Sequence, residues 1–118
     1  MSTFRFEDFT IWQDSIDIAD ELLDIADEVN NERLFRFSEQ LRGAAMSISN
    51  NIAEGSGSFS DKDFANFLVI ARKSVFECAN ILVIFKRRKL ITEERKESLF
   101  KRLSILSSQI TNFRKQLI

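Results

Sequence analysis

Six polar side chains in the middle of the chain have the types and spacing that could do chemistry. Gln40, Ser47, Asn51 and Glu54 fall within about 60° of one another when residues 33–55 are projected on a helix. Ser74 and Glu77 flank the matching apolar row further along. If the two segments form a hairpin, these groups can build a half-buried hydrogen-bond network or line a small-ligand niche. Such a network fixes register and pairing, because every buried member must find a partner. Asn50 and Asn51 sharpen the point. Short polar side chains compete with the helix backbone for hydrogen bonds, so two adjacent Asn inside a helix are locally costly and need a reason.

The residues around this stripe exclude most catalysis. Histidine and tyrosine are absent, and the one thiol, Cys78, lies in an apolar run that predicts burial. The commonest general base, the commonest metal ligand and any Cys/His pair are therefore missing. There is no HExxH, no Gly-rich phosphate loop and no paired CxxC. Of the carboxylates, only Glu54 and Glu77 lie near apolar seams, too few for a carboxylate metal cluster. The expectation is a non-enzymatic chain with no catalytic residue, no metal and no cofactor.

The elements that position the stripe are helical. Proline is absent and there are three glycines, Gly43, Gly55 and Gly57, which favours long uninterrupted helices. Apolar residues recur at steps of three and four in four stretches, about 9–29, 33–55, 61–88 and 93–116. The first carries Trp12, Ile16, Ala19, Leu23 and Ala26 on one face and is expected to end at Asn30 and Asn31. The second carries Leu34, Phe37, Leu41, Ala45, Ile48 and Ile52. Gly55-Ser56-Gly57-Ser58 reads as its stop, with glycine supplying a left-handed residue. The third opens with a capping-box-like Ser60-Asp61-Lys62-Asp63 and carries Phe64, Phe67, Leu68, Ala71, Val75, Cys78, Leu82 and Phe85. The fourth has Thr92 as N-cap and a near-heptad of Leu99, Leu103, Leu106, Ile110, Phe113 and Leu117. Short connections make neighbours antiparallel. The 118 residues are expected to form one domain, an all-α, up-down-up-down antiparallel four-helix bundle.

Two stripes exceed what one core needs. Ile11, Ile18 and Ile25 recur every seven residues about 100° from the Trp12 row, and Val69, Phe76 and Val83 repeat this on the third helix. Self-association is expected to cover them.

The net charge of −1 hides an asymmetry. Residues 1–30 hold nine acids and one base, and residues 86–118 hold ten bases and three acids, giving −8 and +7 at the two ends. These ends can face each other within one bundle or between subunits. The run Lys86-Arg87-Arg88-Lys89, with Arg42, could touch phosphates. It also closes a helix, where cations oppose the negative end of the macrodipole. An acidic chain is a poor general polyanion binder, so nucleic acid is expected to bind weakly at most. The N-terminal residues have no apolar signal core and no run suits a membrane span, so the chain is expected to be cytoplasmic.

Gln40-Leu41-Arg42-Gly43-Ala44-Ala45-Met46-Ser47-Ile48 followed by Asn51-Ile52-Ala53-Glu54-Gly55 resembles the bacterial four-helix-bundle family of rRNA intervening-sequence proteins, whose pattern reads Q-x-R-R-x-A-x-S-I-x-x-N-I-A-E-G. Phe64, Phe67, Leu68, Ala71, Ser74 and Glu77 resemble the family's next motif, and Trp12-Gln13 its opening W-Q. The resemblance implies a bundle that often assembles into a homopentamer. It also implies kinship with the accessory proteins of diversity-generating retroelements, which bind nucleic acid and a reverse transcriptase. This chain departs at Gly43, where the family has a second Arg, at Lys73, where a small residue is common, and at Ser49, often proline. The retroelement branch is strongly basic and this chain is not. The reading that results is an oligomeric scaffold or interaction module, with a nucleic-acid-binding accessory role as its alternative.

Overall fold

Each apolar period becomes an α-helix in the computed structural model, which describes residues 2–118. The helices are α1 (Thr10–Asn31), α2 (Phe35–Ser56), α3 (Asp61–Arg87) and α4 (Glu93–Leu117), preceded by a 3-10 turn at Arg5–Asp8. There is no strand among the described residues. Each helix packs on the next, and α1 closes the ring against α4, giving an up-down-up-down bundle of 43 × 24 × 23 Å. Ser60 Oγ accepts the Asp63 N–H at 3.1 Å and Thr92 Oγ1 accepts the Arg95 N–H at 3.1 Å, so α3 and α4 start on side-chain caps.

The core takes Ile11, Ile18, Leu22, Ile25 and Val29 from α1. This corrects the sequence reading, which gave the core face to the Trp12 row and left Ile11, Ile18 and Ile25 for a partner subunit. Charge decides the rotation. At 100° per residue, Asp17, Asp20, Asp24 and Asp27 lie roughly 180–260° around from Ile18, so burying the isoleucines puts these acids opposite the core. Burying the Trp12 row would have brought Asp20 and Asp27 against it. Trp12 stays half-buried and packs on Phe6 of the 3-10 turn, ring centroids 5.1 Å apart.

α1 ends at Asn31 and α2 at Ser56, as expected, but no glycine has a positive φ. The left-handed residues are Arg33 (φ 63°) and Lys89 (φ 62°). Each sits in the same hydrogen-bonded stop. Leu34 N–H donates to Val29 O at 3.3 Å and Arg33 N–H to Asn30 O at 2.9 Å; Leu90 N–H donates to Phe85 O at 2.8 Å and Lys89 N–H to Lys86 O at 3.0 Å. A residue with a Cβ in this conformation costs about 1–2 kcal/mol that glycine would avoid.

Gly55 serves a different purpose. A Cβ there would lie 2.7 Å from Phe67 Cβ and 2.9 Å from Phe64 Cδ1, so α2 and α3 approach through the missing side chain. Gly43, by contrast, faces open space with nothing within 4 Å. The two glycines therefore respond oppositely to alanine. Gly55→Ala overpacks the contact and should lower stability by about 1–3 kcal/mol. Gly43→Ala removes a flexible residue from an exposed helix interior and should raise it by about 0.5–1 kcal/mol. Urea unfolding followed by circular dichroism reads both, and equal effects at the two sites would refute the placement.

Candidate functional site

The polar stripe lies along the α2–α3 seam, and part of it forms a chain of hydrogen bonds. Ser74 Oγ donates to Ile70 O at 3.2 Å, one turn back on α3. That leaves the Ser74 oxygen to accept from Ser47, whose Oγ lies 2.7 Å away across the seam. Ser47 Oγ in turn accepts from Asn51 Nδ2 at 3.0 Å, and the same Nδ2 donates to Ser47 O at 2.8 Å. Each hydroxyl thus donates once and accepts once. Asn51 also answers for its own helix cost, because its amide returns to the helix it would otherwise disrupt.

Gln40, Glu54 and Glu77 do not join this chain. Glu54, Glu77 and Gln40 are exposed, as is Asn50. Gln40, Ser47 and Glu77 instead border an open groove of about 530 Å³ with Phe35, Arg36, Glu39, Gly43 and Ala44, and Glu54 is not part of its lining. The two acids therefore do not converge on one cavity. No cluster of three or more His, Cys, Asp or Glu could hold a metal among the described residues.

The residues considered for phosphate contact separate as well. Arg42 is already held by carboxylates, with Nη2 2.6 Å from Asp27 Oδ1 and Nη1 2.9 Å from Glu39 Oε1. These hydrogen bonds, Asp27 first, raise its pKa further. It ties α2 to α1 and is spoken for. Lys86 Nζ lies 3.2 Å from Glu93 Oε2, and hydrogen bonds from Lys86 and then Lys96 hold the Glu93 carboxyl below its ordinary range. Arg87, Arg88 and Lys89 have no carboxylate within 4.0 Å among the described residues. Two further pairs tie α4 to α1: Arg95 to Glu28 at 2.7 Å and Arg102 to Glu21 at 2.6 Å. Part of the charge split is therefore spent inside the bundle.

Of the stripes expected to meet a partner, the α1 isoleucines are core, as described. On α3, Val69 is half-buried, Phe76 is 55% exposed and Val83 is 37% exposed. Phe76 borders a small groove of about 120 Å³ with Val75, Ala79, Phe100, Leu103 and Ser104.

Sequence reasoning missed two fastenings. Ser38 Oγ is buried and donates to Ala26 O at 2.8 Å, joining α2 to α1. Arg5 donates from Nη2 and Nε to Ser56 O at 2.7 and 3.0 Å, and its guanidinium lies over the Phe64 ring at 5.2 Å. It thereby fastens the N-terminal turn to the end of α2. A lone base among nine acids was the only signal for Arg5.

A family model described as 23S rRNA-intervening sequence protein matches residues 7–112. Among solved structures, the chain is similar to a protein of unknown function from the S23 ribosomal protein family of Bacteroides thetaiotaomicron. That similarity has 27% identity and a TM-score of 0.84, over 90% of this chain and 99% of the other. No curated protein matches.

Two measurements check the site. Ser47→Ala and Ser74→Ala should each cost about 0.5–1.5 kcal/mol and couple in a double-mutant cycle, while Glu54→Gln and Glu77→Gln stay within about 0.5 kcal/mol of wild type. Independent, additive serine effects would break the chain of bonds. Cys78 is fully buried, and burial first, then the charge of Glu77, push its thiol from an ordinary 9.0 up to about 12. The unfolded thiol ionises first, so this contribution to stability is whole below pH 9.0 and is lost as pH rises towards about 12. Native labelling by a thiol reagent at pH 8 should be slow and become fast in denaturant. Rapid native labelling would place Cys78 at the surface.

Proposed function

This chain belongs to the 23S rRNA-intervening sequence protein family, and from that premise we propose that it is a cytoplasmic, self-assembling interaction module with no chemistry of its own. The observation that carries the reading is the apolar face of α3, with Phe76 55% and Val83 37% exposed beside Val69 and the Phe100 groove. Burial of three such side chains is worth roughly 1.5–3 kcal/mol each. Phe76 also has Arg72 over its ring at 4.8 Å, which orders the exposed ring.

The assembly we propose is a head-to-tail ring of identical subunits, and the family resemblance supplies its number, five. Each subunit offers unlike surfaces: the acids of α1 without an ion pair among the described residues, Asp14, Asp17, Asp20 and Asp24, and the α4 cations without one, Lys101, Arg114 and Lys115. Unlike surfaces suit a heterologous contact, which closes when the rotation permits. The absence of enzymatic activity is supported by the separation of Glu54 from the groove that Glu77 borders and by the lack of histidine and tyrosine. A nucleic-acid-binding accessory role stands second, and the cations without partners at the α3–α4 turn favour it.

Sedimentation at micromolar concentration tests the assembly. Wild type should sediment as a closed oligomer. Val69→Asp with Phe76→Asp should sediment as a folded monomer, because both positions lie outside the core and the new carboxylates meet Arg72 and solvent. A monomeric wild type, or a folded double variant that remains assembled, would overturn the reading.

A further inference from the structure

Two turns that are more than fifty residues apart in sequence meet at one end of the bundle. Lys89 and Leu90 of the α3–α4 turn line a depression with Glu28, Val29 and Asn31 at the end of α1 and Glu32 of the α1–α2 turn. Phe37 stacks on Phe85 beneath them, ring centroids 5.9 Å apart. This end therefore carries Arg33 in the α1–α2 turn, Arg36 in the first turn of α2, Arg87 at the close of α3, and Arg88 and Lys89 in the α3–α4 turn. None of these five has a carboxylate within 4.0 Å among the described residues. The nearby acids are mostly engaged: Glu28 holds Arg95, Glu93 holds Lys86 and Lys96, and Glu39 holds Arg42. Glu32 and Glu94 remain. Between Arg33 and Arg36, Phe35 stands 56% exposed and borders a second open depression with both of them and with Leu34 and Phe37.

The backbone adds an independent observation. Both left-handed residues among the described residues are at this end, and both are cations, Arg33 and Lys89. Glycine would close either turn without the steric penalty. The hydrogen bonds of each helix stop hold the conformation, and each position brings to this end a cation that glycine would not.

We propose that this end of the bundle binds single-stranded nucleic acid, the five cations contacting successive phosphates and Phe35 stacking on an unpaired base. It rests on the second reading above and names its surface, which does not include Arg42. Cations spread around an exposed aromatic fit a flexible strand whose bases are free to stack better than a rigid duplex. Only a few phosphates are engaged per subunit, so binding is weak near physiological salt and strongly salt-dependent.

The test is fluorescence anisotropy with an end-labelled, unstructured RNA of about 20 nucleotides, long enough to exceed one site, titrated between about 50 and 200 mM salt. Arg33→Gly with Lys89→Gly removes two cations and relieves both left-handed positions, so it should melt no lower than wild type. Binding at the low-salt end should weaken at least about tenfold, and the log–log salt slope should fall by about 1.4, at about 0.7 per phosphate contact on a single strand. Arg87→Gln with Arg88→Gln should act similarly without touching the backbone. Phe35→Ala should weaken binding of the single strand and leave a duplex of the same sequence unaffected. Lys62→Gln, an exposed cation at the start of α3 at the opposite end of the bundle, is the control. The proposal is overturned if wild type does not bind at about 50 mM salt, if the control weakens binding as much as the glycine pair, or if the duplex binds as tightly as the single strand. Sedimentation of the same variants separates this from the ring: loss of RNA binding in a variant that assembles like wild type locates the effect at the bundle end.

Discussion

The close approach of α2 and α3 at Gly55 is the constraint on which the rest of the bundle depends. With no Cβ at residue 55, the ring of Phe64 and the Cβ of Phe67 come against the α2 backbone. Phe64 is then held where Phe9 and Phe113 can reach it, with ring centroids 6.1 and 5.5 Å away. Arg5 lies over the same ring and bonds to Ser56 O, one residue past Gly55. The 3-10 turn, α1, α3 and α4 therefore converge on a position that a missing methyl group makes possible. Further along the seam, Ser47 and Ser74 meet at 2.7 Å, a separation that only the same inter-helix spacing allows. The Asn-Ile-Ala-Glu-Gly motif thus joins two structural roles, the amide of Asn51 and the bare Cα of Gly55, while Glu54 faces solvent.

Much of the fold was legible because apolar period and capping chemistry are local. Ser60 and Thr92 cap the helices that follow them for reasons visible in four residues. The rotation of α1 was not legible by apolar counting, since two rows compete around its circumference. It follows once the wet acids are required to face away, an argument about where charge cannot go. The stop at Gly55-Ser56-Gly57-Ser58 was legible, since α2 ends at Ser56, but the places of the left-handed residues were not. A left-handed residue needs no glycine when the hydrogen bonds of the stop and a following leucine over-determine it, as at Arg33-Leu34 and Lys89-Leu90. The signal available was a charged residue followed by an apolar one just past each helix. Within the polar stripe, helical projection gave angle but not depth. Ser47, Asn51 and Ser74 reach the seam, whereas the longer Gln40, Glu54 and Glu77 extend past it into solvent.

Charge works on two scales here. The −8 and +7 ends of the chain are joined by Arg95–Glu28 and Arg102–Glu21, and α2 adds Arg42–Asp27. All these side chains are partly wet, so the pairs add little to stability. Their effect is on arrangement. α1 and α4 are the closing pair of the bundle, and unlike charge along that seam favours this closure over one that places like charges together. The acids and bases left over point outward, where they can act on other molecules.

The apolar face of α3 and the basic end lie in different directions. The face runs along the side of a bundle 43 Å long, and the end is formed by turns across its axis. Contacts between sides, repeated by a rotation axis roughly parallel to the bundles, would leave every basic end on the same rim of the ring. In an assembly of the kind proposed, surfaces that each hold a few phosphates weakly would then act on one strand together. Linked sites of this sort gain avidity through effective concentration without any new contact. A chain whose net charge is −1 could in that way present locally cationic rims while its sides remain acidic. It follows that the overall charge balance says little about what this bundle binds, because the fold separates the two signs that the sum cancels.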